Sequence, residues 1–171
     1  WNILVYMAAD NNLEASAIED LCEMQSSVID DSEVTILALV DRSNGYNFSN
    51  GDWTGTRLYR VRTGKIHSGT EILSEEIDCK PLGLVAGVET ELEMASNYTL
   101  SGVLSYVMEK FPAEKLGLIM WGHGTGWRSC VSENQDIGKN ESKYKGFAYD
   151  ESSGSFMTLK QLGLALKTSL G

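Results

Sequence analysis

The sequence contains few of the side chains that build metal centres and disulfide frameworks. Among its 171 residues there are two histidines and three cysteines. No two cysteines have the C-x-x-C spacing of a zinc or redox site. An odd number of scattered cysteines also leaves at least one thiol unpaired or bonded to another molecule. The sequence therefore argues against a metal centre built on His and Cys and against a disulfide-stabilised scaffold.

Positive charge is also scarce. The chain has 14 Lys and Arg residues against 24 Asp and Glu residues, which gives a net charge of −10. Such a surface repels phosphate backbones and anionic lipids, and no basic run offsets it. No apolar stretch approaches the roughly 20 residues that a membrane-spanning helix needs. We therefore predict neither a nucleic-acid partner nor a membrane span.

The residues that are present predict one α/β domain, or most of one, over residues 1–171. The hydrophobic content of 42% is sufficient for a core. Three short apolar runs predict buried strands, and three segments with helical spacing predict helices. The strands are at 2–9, 34–40 and 116–121, and the helices follow Leu13, Thr99 and Thr158. This order is typical of parallel strands with helical crossovers, so we expect helices on both faces of the sheet.

Smaller elements complete this prediction. An antiparallel hairpin is expected around Thr63 and Gly64, with strands at 56–61 and from Ile66 onward, added to the margin of the sheet. A short strand is expected at 146–150.

Three helix starts carry capping signals. Asn11 and Glu14 have the spacing of a capping box, which predicts a first helix that runs to about residue 30. Thr99 is the expected cap of the second helix. Thr158 and Gln161 have the capping-box spacing at the start of the third helix.

Polar residues follow the first and third predicted strands. In a parallel α/β sheet, ligands bind at the carboxyl ends of the strands, and Asp10 and His123 both fall there. Asp10 and Asp41 are expected to be turn and helix-capping residues. The alternative is that Asp10 accepts phosphate or binds a metal ion.

His123 is the strongest catalytic candidate. An imidazole at this edge can transfer protons near neutral pH, and the adjacent Gly124 N–H can stabilise an oxyanion. The alternative is a structural histidine in a tight turn. The glycine pattern at 122–126 lacks the Lys-Ser/Thr of a P-loop, which disfavours a phosphate-binding loop. His67 is expected to be a surface residue of the hairpin.

The sequence offers no convincing nucleophile. Cys22 falls at a core position of the first helix, and Cys79 has no evident partner. Cys130 lies seven residues after His123, but in a polar segment that lacks the rigid support a nucleophile needs.

Several strings together resemble the clostripain family of cysteine peptidases, peptidase family C11. They are VYMAADNNLE at 5–14, FPA at 111–113, LIMWGHGTGW at 118–127, FAYD at 147–150 and MTL at 157–159. The Trp-Gly-His-Gly-x-Gly-Trp string is the most specific of these. The resemblance implies a caspase-like three-layer α/β fold, of which this chain is the N-terminal part.

The resemblance also implies a function. Such peptidases cleave after Arg or Lys with a Cys-His dyad, which makes His123 the catalytic histidine and assigns the Gly124 N–H to the oxyanion hole. The family's cysteine follows the next core strand and is expected about ten residues beyond residue 171. The expected partners are therefore peptide or protein substrates and a C-terminal segment or heavy chain that carries the cysteine. The alternative is a non-catalytic caspase-like binding module.

Processing, cofactor and location follow from the same resemblance. Family members are commonly cut in the loop after the histidine, where Lys139, Lys143 and Lys145 are candidate autoprocessing sites. No cofactor is required, although calcium is a family possibility. The protein is expected to be secreted or in the cell envelope of a bacterium.

Overall fold

The computed structural model describes residues 1–30, 32–64, 70–124 and 146–171. Its strands are β1 Asn2–Ala9, β2 Thr35–Arg42, β3 Gly55–Arg60, β4 Glu75–Ile77, β5 Leu116–Gly122, β6 Gly146–Asp150 and β7 Ser155–Thr158. Its α-helices are α1 Glu14–Ser26, α2 Asn97–Lys110 and α3 Leu159–Leu170. No described helix is long and apolar enough to cross a membrane.

Five strands form one mixed sheet in the order β4-β3-β2-β1-β5, and β6 and β7 form a separate antiparallel pair. The central strand β1 pairs in parallel with both β2 and β5. Strands β3 and β4 extend the sheet antiparallel at one margin. The predicted parallel core and its antiparallel addition are thus confirmed.

The second strand of that addition is not where the sequence placed it. Residues 75–77, rather than a strand starting at Ile66, pair with β3. The preceding backbone donors are already bonded elsewhere: the N–H groups of Leu73 and Ser74 donate to Gln25 Oε1, and that of Ile72 donates to Asn50 Oδ1. Residues 65–69, which include His67, lie outside the described part of the chain.

The two faces of β1 pack against different helices. Alternate residues from Leu4 to Ala8 share a core with α2 and α3. The intervening residues from Val5 to Ala9 share a second core with α1. Because side chains alternate across a strand, one continuous apolar segment fills both cores. The fold is therefore a three-layer α/β arrangement, as predicted.

The first helix differs from its prediction at both ends. It ends at Ser26 rather than near residue 30, and Val28, which lies beyond that end, is 95% exposed. At its start, Asn11 Oδ1 accepts a hydrogen bond from the Leu13 N–H. The predicted capping box does not form because Glu14 is fully buried and pairs with Arg42.

The other two helices begin as local capping rules require. Ser96, not the predicted Thr99, caps α2 by accepting a hydrogen bond from the Tyr98 N–H. Thr99 instead lies in the first turn and is buried. The predicted Thr158–Gln161 capping box of α3 is confirmed.

Strand β5 is less buried than predicted. Its residues from Leu116 to Gly122 are half-buried or exposed, and Ile119 is 49% exposed. The reason is its position: β5 is the last strand on its side of the sheet that the described residues form. Its outer edge therefore lacks the neighbour that would bury an apolar strand on both faces.

Candidate active site

His123 follows β5 directly, and a tight contact between strands sets its position. Gly122, the last residue of β5, has φ +132°, and a Cβ built there would lie 2.6 Å from the backbone oxygen of Ala8. Only glycine fits this conformation and this approach. The chain can therefore leave the sheet at this point and carry the imidazole to the carboxyl edge.

A side chain from the neighbouring segment holds the imidazole. His123 Nε2 lies 2.7 Å from Asn12 Oδ1. Because an amide oxygen only accepts, Nε2 is the donor in this contact, which leaves Nδ1 as the nitrogen that can exchange a proton with a reacting group. The backbone is fixed as well, since the Tyr149 N–H donates to the His123 carbonyl at 3.2 Å.

Gly124 is exposed and lies against the start of β6. A Cβ at this position would lie 3.1 Å from the Gly146 oxygen and 3.4 Å from Phe147 Cα. Its N–H makes no hydrogen bond to another residue in the described ranges. No described residue therefore accepts from this N–H, and its role in an oxyanion hole stays a prediction.

The two described cysteines have the properties of core thiols. Cys22 is 1% exposed, and burial, together with the nearby Glu71 charge, raises the pKa of its thiol. Burial raises the pKa of the Cys79 thiol to about 11. Neither thiol is an activated nucleophile, because thiolate formation is opposed at both. The predicted core role of Cys22 is confirmed.

The remaining predicted residues fall within 125–145, outside the described part of the chain. They are Cys130 and the candidate processing lysines Lys139, Lys143 and Lys145.

Four carboxylates converge beside the catalytic edge. One oxygen from each residue lies within 4.8 Å of the others, and we call this group the acidic cluster. Its members are Asp10, Asp41, Glu91 and Asp150. Three of them are 0–1% exposed, and Glu91 lies on the open side. Among the described residues, no ion pair compensates any of the four.

Hydrogen bonds position these carboxylates but leave two buried oxygens without a partner. Asp41 Oδ1 accepts from Thr56 Oγ1 at 2.7 Å, and Asp10 Oδ2 accepts from the Ser152 N–H at 2.7 Å. The other oxygens, Asp41 Oδ2 and Asp10 Oδ1, are buried and accept no hydrogen bond from any residue that the structure describes. A buried carboxylate oxygen that accepts no hydrogen bond lowers the stability of the fold, because it has lost its contacts with water.

Burial and the crowding of these carboxylates raise the pKa of two of them, Asp41 and Glu91. Burial, then the nearby charge of Glu91, raises the pKa of Asp41 well above its usual range. Burial and the charges of Asp10 and Asp150 raise the pKa of Glu91 to about 7. These are the effects of desolvation and of like charges held close together.

The sequence did not predict this cluster. Asp10 and Asp41 were expected to be turn and helix-capping residues. Asp10 does lie in the bend between β1 and α1, but it does not cap the helix, and Asp41 has neither role. The Asp10 carboxylate accepts a hydrogen bond from the Ser152 N–H, 142 residues away, rather than from the N–H groups of α1. Asp41 lies inside β2. The one available signal was that both acids fall at the carboxyl ends of adjacent parallel strands. Asp10 is only 1% exposed, which argues against the alternative of a phosphoacceptor.

A buried ion pair lies on the opposite face of the sheet. Arg42 Nε donates to Glu14 Oε1, and both side chains are fully buried. The guanidinium also donates to the carbonyls of Ser49 and Asn47 and stacks 4.6 Å from the Trp53 ring. This set of contacts binds the loop after β2 to α1.

An open cleft of about 520 Å³ lies elsewhere, among Trp53, Arg57 and Glu76. Its lining does not include His123 or any member of the acidic cluster. Catalytic chemistry at His123 would therefore take place outside this cleft.

Known proteins are similar to this chain in sequence and in fold. The profile of the clostripain family matches residues 5–170. Clostripain from Hathewaya histolytica is 31% identical over 130 residues, which is 74% of this chain and 24% of clostripain. The chain thus spans about a quarter of the length of the curated relative that it matches.

Two solved structures extend the comparison. A secreted C11 cysteine protease from Bacteroides thetaiotaomicron, in complex with an irreversible peptide inhibitor, has a TM-score of 0.62 and 19% identity. The match covers 98% of this chain and 39% of that chain, and it shows a common fold. A B. fragilis cysteine protease has a TM-score of 0.54 and 26% identity, and the match covers 78% of this chain and 97% of that one.

Proposed function

Because the chain belongs to the clostripain family, we propose that it is the histidine-bearing part of a cysteine endopeptidase. The nucleophile then comes from a following segment or a partner chain. The observation that carries the proposal is the position of His123: it follows a core strand, is held by Asn12 and lies beside the donor of Gly124.

The proposed chemistry uses both of these groups. A cysteine thiolate attacks the peptide carbonyl, forming a carbon–sulfur bond while the carbonyl electrons move to the oxygen. The Gly124 N–H stabilises that oxyanion. His123 Nδ1 takes the proton of the cysteine thiol when the thiolate forms, since Nε2 is bonded to Asn12. The tetrahedral intermediate then expels the amine, which takes that same proton from Nδ1. Water later hydrolyses the acyl-enzyme and regenerates the thiol.

The margin of the sheet supports completion by another strand. The outer edge of β5 has no partner among the described residues, and Ile119 is 49% exposed there. On α3, Leu164 is also 49% exposed. An added parallel strand would cover this edge, and its carboxyl end would bring a cysteine to the side of the sheet where His123 lies.

The finer properties come from the resemblance. We propose cleavage after Arg or Lys, for which the net charge of −10 is weak electrostatic support. The same specificity makes Lys139, Lys143 and Lys145 candidates for autoprocessing. We propose export from a bacterial cell, in keeping with the secreted relative from B. thetaiotaomicron.

The test compares the full-length protein with its His123→Ala variant on fluorogenic peptides ending in Arg, Lys or Ala. We expect cleavage of the Arg and Lys peptides by the unmodified protein. The variant should lose about 10²–10⁴-fold in kcat/KM, the typical contribution of acid–base catalysis. The matched control is His67→Ala, which removes the other histidine and should retain activity.

Two results would contradict the proposal. Equal activity in His123→Ala would remove the dyad. A folded full-length protein that cleaves none of these peptides would favour the non-catalytic binding module instead.

A further inference from the structure

We propose that Asp20, in the middle of α1, is a positioning residue for His123 and acts through the indole of Trp121. The inference rests on the proposed function, because it concerns how the imidazole is kept in place for proton transfer. It follows from one hydrogen bond, from the packing of β5 and from the contacts that α1 makes near the histidine.

Trp121 connects the end of β5 to the side of the sheet on which α1 lies. Because side chains alternate across a strand, Gly117, Ile119 and Trp121 share this face. Gly117 has no side chain and Ile119 is 49% exposed, whereas Trp121 packs against the core that α1 helps to form. Among the residues of β5, all of which the structure describes, Trp121 is therefore the one whose side chain joins this core.

A hydrogen bond fixes the indole to α1. Trp121 Nε1 donates to Asp20 Oδ2 at 2.6 Å, in a partly buried contact. A carboxylate acceptor makes this bond stronger than one between neutral groups. The indole has only one N–H donor, so the bond to Asp20 also sets the orientation of the ring.

The segment that leads into α1 carries the contact to the imidazole. Asn12 Oδ1 lies 2.7 Å from His123 Nε2, and Asn12 precedes the helix by two residues. Asp20 lies further along the same helix. The α1 segment thus holds the chain around His123 at two points: Asn12 contacts the imidazole, and Asp20 holds the strand through Trp121.

A single residue, Gly122, separates the anchored indole from His123. Gly122 lies so close to β1 that a Cβ would be 2.6 Å from the Ala8 oxygen, which leaves this link little room to absorb a displacement. If Trp121 shifts away from α1, His123 shifts with it and the imidazole loses its alignment with Asn12. A displacement of about 1 Å at a reacting group can lower a rate by up to about 100-fold.

The experiment compares Asp20→Ala with Asp20→Asn in the full-length protein, with kcat and KM measured on a fluorogenic peptide ending in Arg. We expect kcat to fall about tenfold in Asp20→Ala with KM little changed, because the catalytic group loses its orientation and not its substrate contacts. Asp20→Asn retains an acceptor for the indole and should recover most of this loss. The matched control is Glu19→Ala, which removes the adjacent exposed carboxylate of the same helix and should retain kcat.

A double-mutant cycle tests whether Asp20 acts through the indole. Trp121→Phe keeps an aromatic ring at the end of β5 and removes the N–H donor. We expect Asp20→Ala to lower kcat much less when Trp121→Phe is already present, because the bond is then absent in any case. Losses of about tenfold that multiply to about 100-fold would mean that the two residues act independently, and this result would overturn the proposal. If Asp20→Ala does not fold, Trp121→Phe alone is compared with the Glu19→Ala control.

A measurement without turnover separates this inference from the proposed function. ¹⁵N NMR of the His123 ring, identified by its absence from the spectrum of His123→Ala, gives the fraction of the neutral imidazole that carries its proton on Nε2. Asn12 favours this tautomer, because its oxygen accepts from Nε2. The fraction should therefore fall in Asp20→Ala toward its value in Asn12→Ala, and it should not change in Glu19→Ala.

The outcomes are distinct. If the unmodified protein cleaves no peptide, the proposed function fails, and the tautomer fraction alone decides whether Asp20 positions His123. If Asp20→Ala lowers Tm but changes neither kcat nor the tautomer fraction, Asp20 is only structural and the proposal is overturned.

Discussion

Asp41 and Arg42 are consecutive residues of β2, and they show two ways in which this fold buries charge. Arg42 points toward α1, where Glu14, two carbonyls and the Trp53 ring surround the guanidinium. Asp41 points to the opposite face, where it lies beside three other carboxylates and where its Oδ2 has no hydrogen-bond partner among the described residues. The same strand thus carries a compensated charge on one face and an uncompensated one on the other.

The difference distinguishes a buried charge that stabilises the fold, at Arg42, from a buried charge that points to a functional site, at Asp41. The charges of Arg42 and Glu14 neutralise each other and hold the loop after β2 to α1, although Glu14 Oε2 accepts no hydrogen bond from the described residues. A buried charge left unpaired costs stability, so it persists where a ligand or a reaction uses it. The uncompensated face is also the one whose segments reach His123.

The largest expected effect is on the compensated side. Arg42→Met removes the guanidinium and leaves Glu14 buried and unpaired, which should lower the free energy of unfolding by about 3–5 kcal/mol. Denaturation in urea measures this loss. The control is Arg62→Met, which breaks the exposed pair with Glu75 and should cost less than about 1 kcal/mol. Similar losses in both variants would refute the claim that Arg42 is a central structural residue.

The second effect removes the one hydrogen bond that the Asp41 carboxylate accepts from a described residue. Thr56→Val keeps the shape of the side chain but leaves Asp41 Oδ1 and the Leu92 N–H without their partner. We expect the free energy of unfolding to fall by about 2–3 kcal/mol, because two buried polar groups are then unsatisfied. Thr56→Ser keeps the hydroxyl and should lose about 1 kcal/mol, from the missing methyl group. If the two variants were equally stable, the hydrogen bond would not be holding Asp41.

The smallest effect is at the rim, where the uncompensated face meets the proposed active site. Asn12→Ala removes the acceptor for His123 Nε2. We expect roughly a tenfold fall in kcat, about 1.4 kcal/mol, with KM and Tm little changed, because the histidine remains but loses its orientation. Asn12→Asp restores the acceptor and favours the imidazolium, so the histidine limb of the pH–rate profile should move to higher pH. A fall in Tm without a change in kcat would mean that Asn12 is only structural.

The sequence predicted the parts of the site that depend on local pattern. The apolar run before Gly122 identified β5, and the rule for parallel sheets placed His123 at the carboxyl edge. The Thr158–Gln161 capping box was predictable because both partners lie within one helical turn. Asn11 and Glu14 have the same spacing, yet tertiary contacts with Arg42 took Glu14 away from the cap.

The acidic cluster lay beyond such rules. Asp41 and Glu91 are 50 positions apart, and nothing in their local sequence relates them to each other or to Asp150. They meet because Gly55 and Thr56 bring the segment at 90–92 against β3. The sequence predicted that a strand from Ile66 onward pairs with β3, whereas residues 75–77 do so. That prediction gave no reason to expect residues 90–92 beside β3.

The sequence by itself determined the strand and helix order, the three-layer class and the position of the catalytic candidate, since periodicity and strand–helix alternation are properties of neighbouring residues. Only the tertiary structure decided which acids share one space, which charge is compensated and which atom orients His123. These depend on sheet register and on close backbone approaches between distant segments. Such contacts are set by packing in three dimensions and leave no spacing in the chain from which they could be read.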